Sequence, residues 1–188
     1  MPESLKRSLQ KVMLVDGYNV LRAGGYYAHL TKDTPDHSQD AFNAAREALL
    51  SDVASFAGRE FAATVVFDGG GNPGSEGTTR SFGLVEFLFS PHGVSADTVI
   101  ENLTKQAVNL GKEVLVVTSD ATLQWTVFGR TVTRMSAAGF CEEMDSLRKD
   151  FNGYIKEDIA QSAGKNILAD RIDPEVSSKL ERFVRGDS

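Results

Sequence analysis

Three short apolar runs in this chain each stop at an aspartate: "VMLVD" at Asp16, "TVVFD" at Asp68 and "LVVTSD" at Asp120. Brief apolar runs without alternation are the pattern of strands covered on both faces, as in a parallel sheet. Leu84 to Phe89 ("LVEFLF") supplies a fourth run. Between the runs the period becomes helical. Phe42, Ala45, Leu49, Val53 and Phe56 share one stripe over Gln39 to Phe56, and Val99, Leu103, Ala107 and Leu110 share another over Ser95 to Leu110. Strands alternating with helices in this way predict an α/β fold, a parallel sheet with helices on both faces.

In such a sheet the carboxyl ends of the strands lie along one edge, where α/β proteins bind ligands. Asp16, Asp68 and Asp120 are therefore expected together. The segment "SPHGVSAD" leads from the fourth run into its helix, so Asp97 near the helix N-terminus reaches the same rim, with Glu101 one turn further on the same face. Each acid alone has a plainer account: Asp97 complements the helix dipole, Asp120 caps a helix beginning "ATLQW", and Asp68 favours the turn that follows it. Together these accounts compete poorly, because carboxylates crowded at one rim repel unless a cation or a shared proton compensates. Mg²⁺ or Mn²⁺ is the economical compensator, and the histidines His29, His37 and His92 show no zinc spacing. Carboxylate-held metal without a bulky-cofactor motif points to phosphoryl-oxygen chemistry, by a phosphodiesterase or a phosphatase. A dehalogenase-type phosphatase wants a second Asp where Tyr18 stands, and the acidic pair and late-strand Lys of a receiver domain are missing.

At 188 residues and 41% hydrophobic content the chain suits one domain of ordinary size with a small appendage. The core is expected over 1–150 and a helical C-terminal extension over 151–188, broken near Asn152 and Gly153, with a last amphipathic helix around Glu175 to Val184. No stretch approaches the roughly 20 apolar residues of a membrane span. The polar start "MPESLKRSLQK" lacks the apolar centre of a secretory signal, so a cytoplasmic location is expected, or an organelle stroma if that start is a processed one. Cys141, the single cysteine, reads as a small core residue. The formal charge of −6 argues against gripping nucleic acid by overall positive potential. The glycine-rich "DGGGNPGSEGTTR" lacks the Lys-Ser/Thr ending of a phosphate-binding P-loop and reads as a flexible rim.

The stretches "MLVDGYNVL", "VVFDGGG", "SADTVIENL" and above all "VTSDATLQWTVFGRTVTRMSAAGF" resemble the YacP-like branch of the NYN domains, within the PIN-like nuclease fold, over about Val12 to Asp150. The resemblance implies a three-layer sandwich around a mainly parallel sheet. It also implies a metal-dependent endoribonuclease acting on messenger RNA at the translating ribosome. By this match Asp16 and Asp97 are catalytic acids, Asp120 is the acid of "TSD", Asn19 is the Asn after the first strand, and Asp68 matches with a less defined role. Asp16, Asp97 and Asp120 are then ligands of Mg²⁺ or Mn²⁺. Asp68 and Glu101 are auxiliary ligands or orient water, and Asn19 positions phosphate or water. Arg80, Arg130 and Arg134 are candidate phosphate contacts near loop or strand ends, with surface solvation as the rival account. Trp125 reads as packing before base stacking. Arg46, interrupting the apolar stripe of its helix, hints at a buried ion pair with a rim acid. The alternative function is a noncatalytic RNA- or ribosome-binding module with vestigial acids; the oligomeric state stays open.

Overall fold

The computed structural model describes residues 2, 9–23, 25–32, 39–69, 71–120 and 131–164. The chain divides into two compact units, Met1–Asp145 and Ser146–Ser188. The first holds β1 (Lys11–Asp16), α1 (Gly17–Ala23), α2 (Gly25–Lys32), α3 (Gln39–Ala57), β2 (Phe61–Phe67), β3 (Thr79–Phe82), β4 (Val85–Phe89), α4 (Ala96–Asn109), β5 (Glu113–Val117) and β6 (Val132–Met135). The last helix, α5 (Ala137–Gly164), begins in the first unit and supplies all of what is described of the second. It runs through Asn152 and Gly153 without the expected break. A glycine inside a helix costs only about 1 kcal/mol relative to alanine and does not force an end. The expected helix after Asp120, with Trp125 and Arg130, lies outside the described residues, as do His37 and the expected helix at Glu175 to Val184.

Six strands form one sheet in the order β3-β4-β2-β1-β5-β6, parallel throughout except for β3, which returns antiparallel along β4. From β1 the chain builds outward through β2 to β4 and β3. It then crosses back through α4 to β5 and β6 on the other side of β1. The switch in direction falls between β1 and β5, the position at which open α/β sheets bind ligands.

Strand period separates the two cores. Val12 and Leu14 of β1, Val66 of β2 and Val114 and Val116 of β5 pack under Ala96, Ile100, Leu103 and Ala107 of α4. Met13, Val15, Val65, Phe67 and Val117 face the opposite way, toward Val20, Tyr27, Leu49, Val53, Phe140 and Cys141. The helical layers on both faces are thus those expected from the sequence, and Cys141 is a core residue. The stripes differ at their ends. Phe42 is 45% exposed and Leu110, the C-cap of α4, is 53% exposed, while Ile100, one position off the expected stripe, is fully buried.

Candidate active site at the strand ends

The strand period places the first acid, and the ends of the neighbouring elements bring the others to the same rim. Asp16 follows Val12 and Leu14 on the face covered by α4, Asp68 lies two residues beyond Val66, and Asp120 two and four residues beyond Thr118 and Val116. Asp97 is in the first turn of α4, whose N-cap Ser95 accepts the Thr98 N–H at 3.2 Å. The carboxylates interact electrostatically. Burial raises the Asp16 carboxyl above the usual carboxylate range; the Asn19 N–H, donating to Asp16 Oδ1 at 3.1 Å, and Arg22 pull it down, while Asp97 and Asp120 push it up. Asp97 is raised by burial first, then by the charges of Asp120, Asp68 and Glu101. All five expected acids thus share one electrostatic neighbourhood.

They do not form a closed ligand set. Among the described residues no three His, Cys, Asp or Glu side chains are arranged to hold one metal ion. Like charges favour separated rotamers. Competing partners add to this, since Asp16 is held by Asn19 and Glu101 pairs with Lys105 at 3.5 Å.

Asn19 joins the two strands that flank the switch point. Its backbone N–H holds Asp16, and its side-chain Oδ1 accepts the Ser119 N–H at 3.0 Å, across from β5. The loop that carries Asp120 is tied further: Thr118 Oγ1 accepts the Asp120 N–H at 3.1 Å, and Ser119 Oγ accepts the Ala137 N–H at 3.1 Å, capping α5. In Asn19→Ala the Ser119 amide should exchange with solvent about tenfold faster, matching one lost hydrogen bond, whereas Asn19→Asp retains an acceptor and the protection. Equal exchange in all three proteins would remove Asn19 from this role.

The glycine-rich segment is not the loose rim expected. Asn72 N–H donates to Gly69 O at 2.9 Å, Ser75 N–H to Asn72 O at 3.0 Å, Ser75 Oγ–H to Ser90 O at 2.6 Å and His92 N–H to Ser75 O at 2.9 Å. Gly69 donates its N–H to Ser90 Oγ at 2.9 Å, and a Cβ there would crowd Ser75 Oγ and Ser90 O. Glycine is used here for close approach of backbone to backbone. The folded loop, with Tyr18, Arg46, Arg80 and Phe89, encloses a hollow of about 390 Å³ that has Asp68 on its lip.

The arginines divide. Arg80 is on β3 and Arg134 on β6, the two opposite edges of the sheet, so they form no single patch. Arg46 makes no ion pair with a rim acid among the described residues. Its Nη2 donates to Tyr18 OH at 2.7 Å and its Nη1 to Asn43 Oδ1 at 2.9 Å, with the rings of Tyr18, Phe67 and Phe89 around the guanidinium. Cation–π attraction to those rings takes the place expected of an acid. Sequence reasoning missed Tyr18 and Ser90 as site-building residues. For Thr118 and Ser119 a signal was present, since two hydroxyl residues before an aspartate at a strand end are turn and cap formers.

Residues 13–185 match the YacP-like NYN domain family. The protein YacP of Bacillus subtilis (strain 168) is 30% identical over 180 residues, which are 94% of this chain and 98% of that protein. The crystal structure of Rae1 (YacP) from Bacillus subtilis is similar with a TM-score of 0.58 and 27% identity, covering 94% of this chain and 95% of that one. A single-substitution variant of the same protein matches with a TM-score of 0.58 over 78% of this chain and 81% of its own. Among the described residues no helix is long and apolar enough to cross a membrane. With its mostly parallel six-stranded sheet and acids at the strand ends, the chain belongs to the YacP-like NYN domain family, which implies a nuclease-type, RNA-related function.

Proposed function

We propose that this protein is a divalent-metal-dependent endoribonuclease that cleaves single-stranded RNA, with messenger RNA on the ribosome as its target. The observation that carries the reading is the meeting of Asp16, Asp97 and Asp120 around the switch point, with the carboxyl groups of Asp16 and Asp97 raised by burial and by their neighbours' charge. Groups in that condition gain most from a cation. The donors are carboxylate oxygens, which fit Mg²⁺ or Mn²⁺ and not zinc. Asp16, Asp97 and Asp120 would hold the ion, with Asp68 and Glu101 as auxiliary ligands or water-orienting acceptors. When bound, the ion polarises the scissile phosphate and lowers the pKa of an attacking water. Asn19, its Oδ1 engaged by Ser119, has its amide NH₂ left to donate to a phosphate oxygen or to water.

Targeting follows from charge. A chain of net charge −6 gains little from counterion release along free RNA. The ribosome is the proposed source of the missing affinity, holding a single-stranded segment near the acids and raising its local concentration. Arg80, Arg130 and Arg134 are the proposed contacts for docking, and Arg134→Glu should weaken co-sedimentation with ribosomes. The noncatalytic reading draws on one observation, that the carboxylates are not gathered into a ligand set.

The deciding assay follows cleavage of a labelled single-stranded RNA, naked and engaged by ribosomes, with Mg²⁺, Mn²⁺ or chelator. Slow cutting of naked RNA that stops in chelator, and is at least about tenfold faster on ribosomes, is expected. Cutting that survives chelation rejects the metal. Equal rates on naked and engaged RNA leave a general single-strand endoribonuclease. Binding without cutting, with either ion, establishes the noncatalytic module.

A further inference from the structure

Arg46 makes no ion pair among the described residues. Its two hydrogen-bond acceptors, Tyr18 OH and Asn43 Oδ1, are neutral. Ring centroids of Phe89, Tyr18, Phe67 and Phe42 lie 5.2, 5.6, 5.8 and 6.0 Å from the guanidinium carbon. Its Nε is buried and has no hydrogen-bond partner among the described residues. Arginine keeps its proton throughout the range in which proteins fold. The residue is only partly buried, but a buried donor left unused on a cation is unfavourable, and ring faces offset only part of that.

The guanidinium lines the hollow of about 390 Å³ described above, within the lower range of small-ligand sites. Arg80, Ser75 and Thr78 also line it. Asp68 borders the hollow and acts electrostatically on Asp97, so the hollow opens beside the acidic rim and continues it toward the α3 side of the sheet. The hollow is therefore next to the acids at which a scissile phosphate would lie. The aromatic surface there is engaged within the protein: Phe67 stacks on Phe89 with centroids 5.4 Å apart, and Arg46 covers Phe89 as well. That favours an anion over a stacked base as occupant. Asp68 and Glu76 in the lining disfavour a free anion, which selects a phosphate already anchored through its chain.

We propose that this hollow seats the phosphate of the nucleotide adjoining the scissile one, with Arg46 as its anion-binding floor and Arg80, Ser75 and Thr78 at its mouth. The assignment rests on the endoribonuclease reading for the direction of the strand, but its test does not depend on cleavage. Binding of fluorescent single-stranded oligoribonucleotides is measured by anisotropy at low ionic strength in the Asp97→Asn protein. Single phosphates are replaced in turn by neutral methylphosphonates, and single nucleotides in turn by abasic ones. One methylphosphonate position should weaken binding about tenfold, the effect of one lost charge-assisted contact, and should lose that effect when Arg46→Gln is added. Arg80→Gln should reduce the same sensitivity in part, which keeps the proposal open to test if Arg46→Gln does not fold. Inorganic phosphate at millimolar concentration should not compete. The proposal is overturned if no methylphosphonate position responds to either substitution, if only abasic positions do, or if free phosphate displaces the RNA. A protein that binds as described but cuts nothing with Mg²⁺ or Mn²⁺ supports the hollow and rejects the nuclease.

Discussion

Asp97→Asn should cut RNA on the order of 10²–10³-fold more slowly than the parent protein and should be harder to unfold at neutral pH. The two effects have one source. Asparagine keeps the size and hydrogen-bonding capacity of the side chain in the first turn of α4 but removes a charge that is unfavourably placed, half-buried and facing Asp120, Asp68 and Glu101. The native carboxyl is raised above 3.8, so between that ordinary value and its native one the folded protein binds more protons than the unfolded chain. Stability therefore declines as pH climbs through that interval, and the full destabilisation is present at pH 7. Asp97→Asn abolishes the decline contributed by this group, and Asp16→Asn should do the same for its own while keeping an acceptor for the Asn19 N–H. Denaturant midpoints measured from pH 3 to pH 7, beside cleavage rates with Mn²⁺, check both halves. A variant of unchanged activity removes Asp97 from the chemistry. A variant that is less stable at pH 7 shows that the charge is compensated in the fold.

The trade between stability and charge was readable in the chain because strand ends are readable. Apolar runs closed by Asp16, Asp68 and Asp120, joined by helical periods, allow few arrangements other than a parallel sheet with acids on one edge. The decisive refinement is parity. Asp16 shares the α4 face because it continues the alternation of Val12 and Leu14 within β1, whereas Asp68 and Asp120 follow the ends of β2 and β5. That relation becomes certain only when the pairing of Val15 with Val117 and of Asp16 with Val66 is known. What was not legible depends on contacts distant in sequence. The partners of Arg46 come from α1, β2 and β4, so its position on the helix stripe suggested burial but could not say that rings, and not an acid, would surround it. The glycine-rich segment has the composition of a loose loop, and its order comes from Ser90 and His92, after the intervening β3 and β4. Strand β3 was invisible for a related reason. Its side chains are largely exposed, so it shows no apolar run and exists by pairing with β4.

Gly17 and Phe67 should prove to be one packing unit, and breaking it should be the largest single loss of stability at the rim. Phe67 is fully buried at the end of β2, with its ring centroid 5.4 Å from those of Tyr18 and Phe89 and 6.5 Å from that of Phe87. Gly17, first residue of α1, lies against the same ring, and a Cβ built there would overlap its Cδ1 and Cε1 atoms. The helix can follow Asp16 directly only because nothing projects at position 17. Phe67→Ala removes a large buried ring and should destabilise by about 3–5 kcal/mol. Gly17→Ala forces the ring aside or lifts α1, and should destabilise by about 1–3 kcal/mol although alanine suits a helix better than glycine. In the double variant the added methyl enters the space the ring has left, so the loss should be close to that of Phe67→Ala alone and short of the sum by about 1–3 kcal/mol. Additive losses would mean that the methyl is accommodated elsewhere. Under the proposed function the contact also bears on cleavage, because Gly17 follows Asp16 and Phe67 precedes Asp68. Gly17→Ala, assayed where it is still fully folded, should therefore lose cleavage rate, since displacing α1 moves Tyr18 and Asn19 relative to the acids they adjoin.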